Sequence, residues 1–320
     1  MPQTFAALLA AVPFALGVVT SGSGSSGTQV LHLADPAIVE ASDLVVQGGL
    51  FLTTNDSGDT GRVFAVDSTG RTVGVTHWSS HPIDTEALAP GGGDTVWVGD
   101  IGDNLARRPF VDVARVAVGP GRRTEHPTTY RLRYPDGPAD AETLVRNPRT
   151  GRLYIATKSV FGGVLYAVPT RLGRSGVNRL RPVGRVLPVA TDGAFFPDGR
   201  HLLVRSYATA VVYDWPSLQP AGSFALPRER QGEGIAVADD GRVYVSSEGA
   251  DSLVLRVRVP PRIEAEVGPP VESAGPGLRP EVAPVSSEEP SRSPWPWVTG
   301  GLLGLVAIVV LVRSLRPPAR

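Results

Sequence analysis

The chain has 320 residues, with 31 basic and 31 acidic side chains and a net charge of zero. That length allows one large all-β domain or two ordinary ones, and the balanced charge argues against a nucleic-acid partner, which would need a basic face. Cysteine is absent, which excludes disulfides, thiolate catalysis and cysteine-held zinc.

Residues 1–27 come first. Within them, residues 3–19 read QTFAALLAAVPFALGVV and precede the small-residue tract TSGSGSSG. An apolar run before a small-residue exit is the pattern of a secretion signal, although no positive charge leads it. An uncleaved anchor is the alternative.

Residues 28–259 carry a degenerate repeat. Each unit opens on a short apolar strand with a polar or acidic start: VEASDLVV at 39, DTEALA at 84, DAETLV at 140, TDGAFF at 191 and GEGIAV at 232. A turn follows each: QGG, PGGGD, NPRTGR, PDGR and DDGR. Glycine there supplies the positive φ of tight hairpins. The second strands read LFLTT, VWVGD, LYIAT, LLVRS and VYVSS, and third and fourth strands follow. The fifth unit lacks a fourth strand, and TQVLHLA at 28–34 is free to supply it. Four antiparallel strands per unit, repeated, predict an all-β fold, a five-bladed β-propeller closed by the N-terminal strand. Closure removes the open edges of a linear array. Six blades remain open if the connections 119–139 or 169–190 hold further strands.

Residues 260–294 are rich in Pro, Ser and Glu and poor in large apolar side chains, so they read as a disordered, semi-extended stalk. Residues 295–312, WPWVTGGLLGLVAIVVLV, carry no charge. With their flanks they approach the ~20 residues of a membrane-spanning helix. Trp295 and Trp297 stand at one end as interfacial aromatics, and Arg313, Arg316 and Arg320 follow at the other. The positive-inside rule then makes 313–320 a short cytoplasmic tail and leaves the repeat outside. The expected product is a single-pass type I protein of the cell membrane.

On the turns PDGRHLLV and DDGRVYVSS and the acidic first strands GEGIAV and DTEALA, the repeat resembles the bacterial extracytoplasmic β-propellers of the NHL, SMP-30/gluconolactonase and phytase-like kinds. The resemblance covers most of 28–259 and speaks to architecture. For activity it implies at most a metal-dependent hydrolase of phosphoesterase or lactonase type.

Aligning the first strands puts Glu86, Glu142, Asp192 and Glu233 at one register, with Ser42 in unit one and Glu40 and Asp43 beside it. Innermost strands surround a propeller's channel, so such residues converge on its mouth. Gathered carboxylates repel unless something neutralises them. A hard cation, Ca²⁺ or Mg²⁺, suits an all-oxygen set. Capping of a neighbouring blade's N–H groups, or ion pairing with arginine, is the competing reading, and catalysis a third. Asn55, Asp56, Asp59, Asp100, Asp103, Glu248 and Asp251 sit in the turns after the second strands, where Asx residues are ordinary. Lys158 is the sole lysine and occupies that position in unit three. It could neutralise the acids or hold an anion, as could Arg205. Asp84, Lys158, Arg205, Tyr207 and Glu248 are therefore candidate ligand-binding residues, with Trp78 a further aromatic for the rim. His77 and His81 could reach the rim, but no histidine spacing suggests zinc. No nucleophile elbow, phosphate loop or dinucleotide fingerprint occurs. The expected function is binding of an extracytoplasmic ligand or protein at the polar mouth. The alternatives are a Ca²⁺-dependent hydrolase built on the acidic ring and a structural cell-envelope scaffold.

Overall fold

The computed structural model describes residues 27–56, 58–78 and 82–267. The signal-like run, most of the stalk, the apolar segment 295–312, the basic tail and His81 lie outside the described residues, within which no helix is long and apolar enough to cross a membrane.

Strand β1 (Thr28–His32) opens the described chain. Blade 1 follows as β2 (Val45–Gln47), β3 (Leu50–Thr54), β4 (Arg62–Val66) and β5 (Thr72–Trp78). Blade 2 holds β6 (Thr85–Pro90), β7 (Thr95–Asp100), β8 (Val111–Ala117) and, after β9 (Gly121–Glu125), β10 (Thr129–Arg133). Blade 3 holds β11 (Ala141–Arg146), β12 (Leu153–Thr157), β13 (Val164–Ala167) and, after β14 (Asn178–Arg179), β15 (Arg181–Arg185). Blade 4 is β16 (Asp192–Phe195), β17 (His201–Arg205), β18 (Thr209–Asp214) and β19 (Pro220–Ala225). Blade 5 is β20 (Gly232–Val237), β21 (Val243–Ser247) and β22 (Leu253–Val257), completed by β1, which pairs antiparallel with β22. Strand β1 thus closes the last blade, as the missing fourth strand of unit five predicts.

The described residues form five sheets, one per blade. The long connections do hide strands, but these build no sixth blade. β9 returns to lie parallel on β5, and β14 lies parallel on β10, so each seals the outer edge of the preceding blade. Blade strands such as β12 and β17 are buried along their whole length, because each sheet packs on both faces. The core is accordingly divided among the seams between blades. Leu144 and Ile155 of blade 3 meet Val111 and Leu132 of blade 2, and Phe196 and Leu203 of blade 4 meet Ile235 and Val245 of blade 5. Each such side chain contributes roughly 1.5–3 kcal/mol on burial. Trp78 lies in the seam between blades 1 and 2 and is buried, so it is no rim aromatic. Its neighbour His77 pairs with Thr124 of β9, at the outer edge of its blade.

The folded chain runs past residue 259. Helix α1 (Pro261–Val267) buries Ile263 and Val267, one turn apart, in the core beside Phe196 and Val212. The Pro-rich composition from residue 260 masks that apolar pair.

Candidate functional site

The inner strand of each blade has a ladder partner on one side only. Its channel-facing N–H and C=O groups must find other partners. Two blades supply them from side chains. The Ser42 hydroxyl donates to the Glu86 carbonyl at 3.0 Å, and the Asp43 carboxylate accepts from Leu88 N at 2.6 Å. In blade 4 the Thr191 hydroxyl donates to the Gly232 carbonyl at 3.3 Å, and Asp192 accepts from Ile235 N at 2.6 Å. Ser42–Asp43 and Thr191–Asp192 are therefore the same device, each binding its blade to the next.

The ladders of the other three blades shift by one residue at the same stretch, as blade 1 also does between the Ala41–Asn55 bridge and β2. Pairing shifts between Thr85 and Ala87, between Ala141 and Thr143, and between Gly232 and Gly234. The extra residue in each case is a glutamate: Glu86, Glu142 and Glu233. Bulges re-aim side chains beside functional sites. The level at the mouth is thus Ser42, Glu86, Glu142, Thr191 and Glu233. Asp192, expected in this ring, falls one position deeper, level with Asp43: it pairs with Arg205 as Ala87 pairs with Gly99, and Thr191 takes the glutamate level. There it caps a backbone N–H and is 1% exposed.

Asp43 and Asp192 come from non-adjacent blades, and their buried carboxyl groups act on one another. Burial first, and then each other's charge in the case of Asp192, holds both well above the usual carboxylate range, Asp43 at about 8. Two buried carboxyl groups in contact cannot both ionise, so the pair shares a proton. With Ala87 and Thr143 also sealed from solvent, this level closes the channel below the mouth.

Above it lies a cavity of about 130 Å³ lined by Ser42, Glu86, Glu142, Glu233, Lys158 and Glu248, with Asp56, Asn104 and Gln231. Lys158 forms an ion pair with Glu142 and stands 5.2 Å from the Tyr207 ring centroid. Gln231 donates to Glu233 at 3.1 Å and also to Glu248. Opposite, ligand oxygens of Asp56, Asp84 and Glu86 lie within 4.8 Å of one another. Asp100 holds this corner in place by accepting from Ile83 N at 3.1 Å and Asp84 N at 2.9 Å, with Arg108 paired to it at 2.8 Å. Asp103 accepts from Arg107 N and Arg108 N. These two acids are therefore loop architecture. A Cβ on Gly102 would stand 2.4 Å from the Asp84 carboxylate, so only glycine admits Asp84 there.

The electrostatics differ across the mouth. Glu86 is pushed up to about 10 by burial and then by Asp56, Glu142 and Asp84. Asp84 is pushed to about 7 by burial and by Asp56. Glu233 rises to about 8 through burial and Glu142. Glu142 rises only to about 7, because Lys158 offsets its burial. Burial pulls the Lys158 ammonium down, but the carboxylates, Glu142 first, raise it above its ordinary value.

Of the sequence candidates, Glu86, Glu142, Glu233, Lys158 and Glu248 meet at the cavity, Asp84 borders it, and Tyr207 stands half-exposed at its edge. Arg205 does not. Its guanidinium is fully buried between blades 4 and 5, donating to Gly234 O at 2.8 Å and paired with Glu229 at 2.8 Å. Asn104 and Gln231 were not among the sequence candidates; Asp56, one of the acids in the turns after the second strands, also lines the mouth. Backbone bonds place Asp56 at the position of Lys158 and Glu248: Asp56 N to Glu40 O, Lys158 N to Asp140 O and Glu248 N to Gln231 O.

No family model and no curated protein matches the chain. Among solved structures, it is similar to a glutaminyl cyclase of Myxococcus xanthus at 11% identity and a TM-score of 0.47, over 72% of this chain and 95% of that one. It is similar to a putative oxidoreductase (glucose dehydrogenase) of Thermus thermophilus at 13% identity and a TM-score of 0.42, over 73% and 100%. A hydrazine synthase of Kuenenia stuttgartiensis aligns at 15% identity and a TM-score of 0.40, over 67% and 57%. The propeller assignment rests on this chain's own sheet order.

Proposed function

We propose that this protein is a membrane-anchored, extracytoplasmic binding module whose channel mouth takes a divalent cation, Ca²⁺ first, and through it an oxygen-bearing ligand. The observation that carries the reading is the corner of Asp56, Asp84 and Glu86. Oxygens within 4.8 Å of one another have the spacing of ligands that share one hard ion. The nearby cation Arg108 is engaged by Asp100. An all-oxygen donor set fits a hard ion, and Glu142 and Glu233 line the same cavity. A volume of about 130 Å³ suits an ion with a few waters, each about 30 Å³. It is too small for an organic ligand of ordinary size.

An outer groove of about 810 Å³ shares Gln231 and Glu248 with the mouth and gives a ligand room beside the ion. That groove favours a second reading, a cation-dependent hydrolase of phosphoester or lactone substrates, with a mouth carboxylate as base. The membrane anchor rests on the uncharged segment 295–312.

Thermal unfolding of the full-length chain in nanodiscs, with calcium and with chelator, tests the binding reading. An ion held at a hundred times its Kd adds about 2.7 kcal/mol, a shift of roughly 5–10 °C for this size. Identical midpoints with calcium, magnesium and chelator would remove it. Turnover of p-nitrophenyl phosphate or a γ-lactone, lost on chelation, would select the hydrolase.

A further inference from the structure

The opposite end of the channel is a separate cavity of about 260 Å³. It is formed where the inner strands of all five blades end, by Val46, Leu88, Val145, Ala194, Phe195 and Val237 among others. The closed level of Asp43 and Asp192 divides it from the acidic mouth. Its walls are mostly apolar, with two polar groups left unmatched. The Arg146 guanidinium, half-buried on this wall, makes no hydrogen bond or ion pair among the described residues. Burial, and then Arg115, pushes its pKa below the ordinary value, with no carboxylate to offset it. By contrast Arg62, Arg108 and Arg205 are all ion-paired. The second group is Gln47. Its amide nitrogen donates to Gly93 O at 2.5 Å and Thr95 O at 3.2 Å, which fixes the orientation of the amide. Its oxygen is sealed from solvent and has no donor.

We infer that this lower cavity is a binding site for a small monocarboxylate with an apolar body. The carboxylate would pair with Arg146, whose planar fork matches it in bidentate fashion. The hydrocarbon body would fill the apolar wall. A cavity of roughly 150 Å³ accepts benzene, so 260 Å³ admits a somewhat larger body. Asp239 stands exposed at the same rim and selects against a second negative charge.

Calorimetric titration of the full-length chain in nanodiscs with phenylacetate, and separately with the neutral phenylacetamide, tests this. Phenylacetate is expected to bind at one site per chain. Binding is expected to weaken at least tenfold for the amide and for R146Q, and to be blocked by A194W, which fills the cavity. Far-ultraviolet circular dichroism and the unfolding midpoint confirm that each variant is folded. R146Q lies at the half-buried rim and serves if A194W fails to fold. Equal affinity for acid and amide, undiminished binding by folded R146Q, or no binding of phenylacetate would each overturn the inference.

Discussion

Glu86 and Glu142 occupy the same bulge position in neighbouring blades and are nearly equally buried, at 7% and 6% exposure. Yet Glu86 is pushed up to about 10 and Glu142 only to about 7. The difference is the neighbour. On one side of the mouth Lys158, the sole lysine in the chain, is a tethered cation that reaches Glu142 and lies over Tyr207. On the other side, oxygens of Asp56, Asp84 and Glu86 crowd together, and the carboxylates Asp56, Glu142 and Asp84 add to the effect of burial on Glu86. One ring of acids thus differs from side to side: a lysine offsets burial at Glu142, whereas neighbouring carboxylates reinforce it at Glu86. A repeat fold makes such a contrast easy to build, because one residue after each second strand decides the sign at each blade.

Removing Lys158 is the largest expected perturbation. In K158M, Glu142 loses the cation that offsets its burial and must take up a proton or stay a buried, unpaired charge. The metal-free protein should lose on the order of 3 kcal/mol at pH 8, measured by urea unfolding, and calcium should restore most of the loss. A variant as stable as the parent in chelator would show that the two sides do not differ as described.

The pH dependence is the next effect. The folded-state pKa values of Asp84, Glu86, Glu142 and Glu233 are all raised. The folded chain therefore binds more protons than the unfolded one, and stability falls as pH rises. In chelator this contribution is complete below about pH 4, where unfolded carboxyl groups titrate. It is lost progressively through the folded values, ending at about 10 with Glu86. Calcium should flatten the profile by replacing protons at the mouth. Midpoints that rise with pH in chelator would contradict the sign.

The smallest effect belongs to the level below. D43N keeps an acceptor for Leu88 N but removes one of the two carboxyl groups that share a proton. It should cost about 1 kcal/mol at pH 6 and gain on the parent above pH 8, where the native pair is forced to ionise. Parallel stability curves for the two proteins from pH 6 to 9 would show that no proton is shared.

Much of the fold is legible in the sequence because each blade repeats one pattern of short strands and glycine turns, with a spare strand left at the start. β9 and β14 are not, since GRRTE and NR lack apolar alternation and gain order only by lying on an existing edge. At the site, the shared glutamates stand out by simple alignment. Strand pairing is invisible to it, which is why Asp192 aligns with them although Thr191 holds their level and Asp192 pairs one step deeper with Arg205. The burial of Arg205 is equally hidden, because a strand-end arginine normally reaches solvent, and its partner Glu229 lies 24 residues away in sequence. Asp56 hides for the same reason as Asp192, one residue out of step, with its place set by the bond to Glu40.

Calcium titration of the full-length chain by calorimetry, for the parent and for E86Q, tests the central claim most directly. The account predicts one ion per parent chain and about a hundredfold weaker binding in E86Q, which loses a charged ligand of the site. A parent chain that binds neither calcium nor magnesium, or an E86Q variant that binds as tightly as the parent, would contradict it.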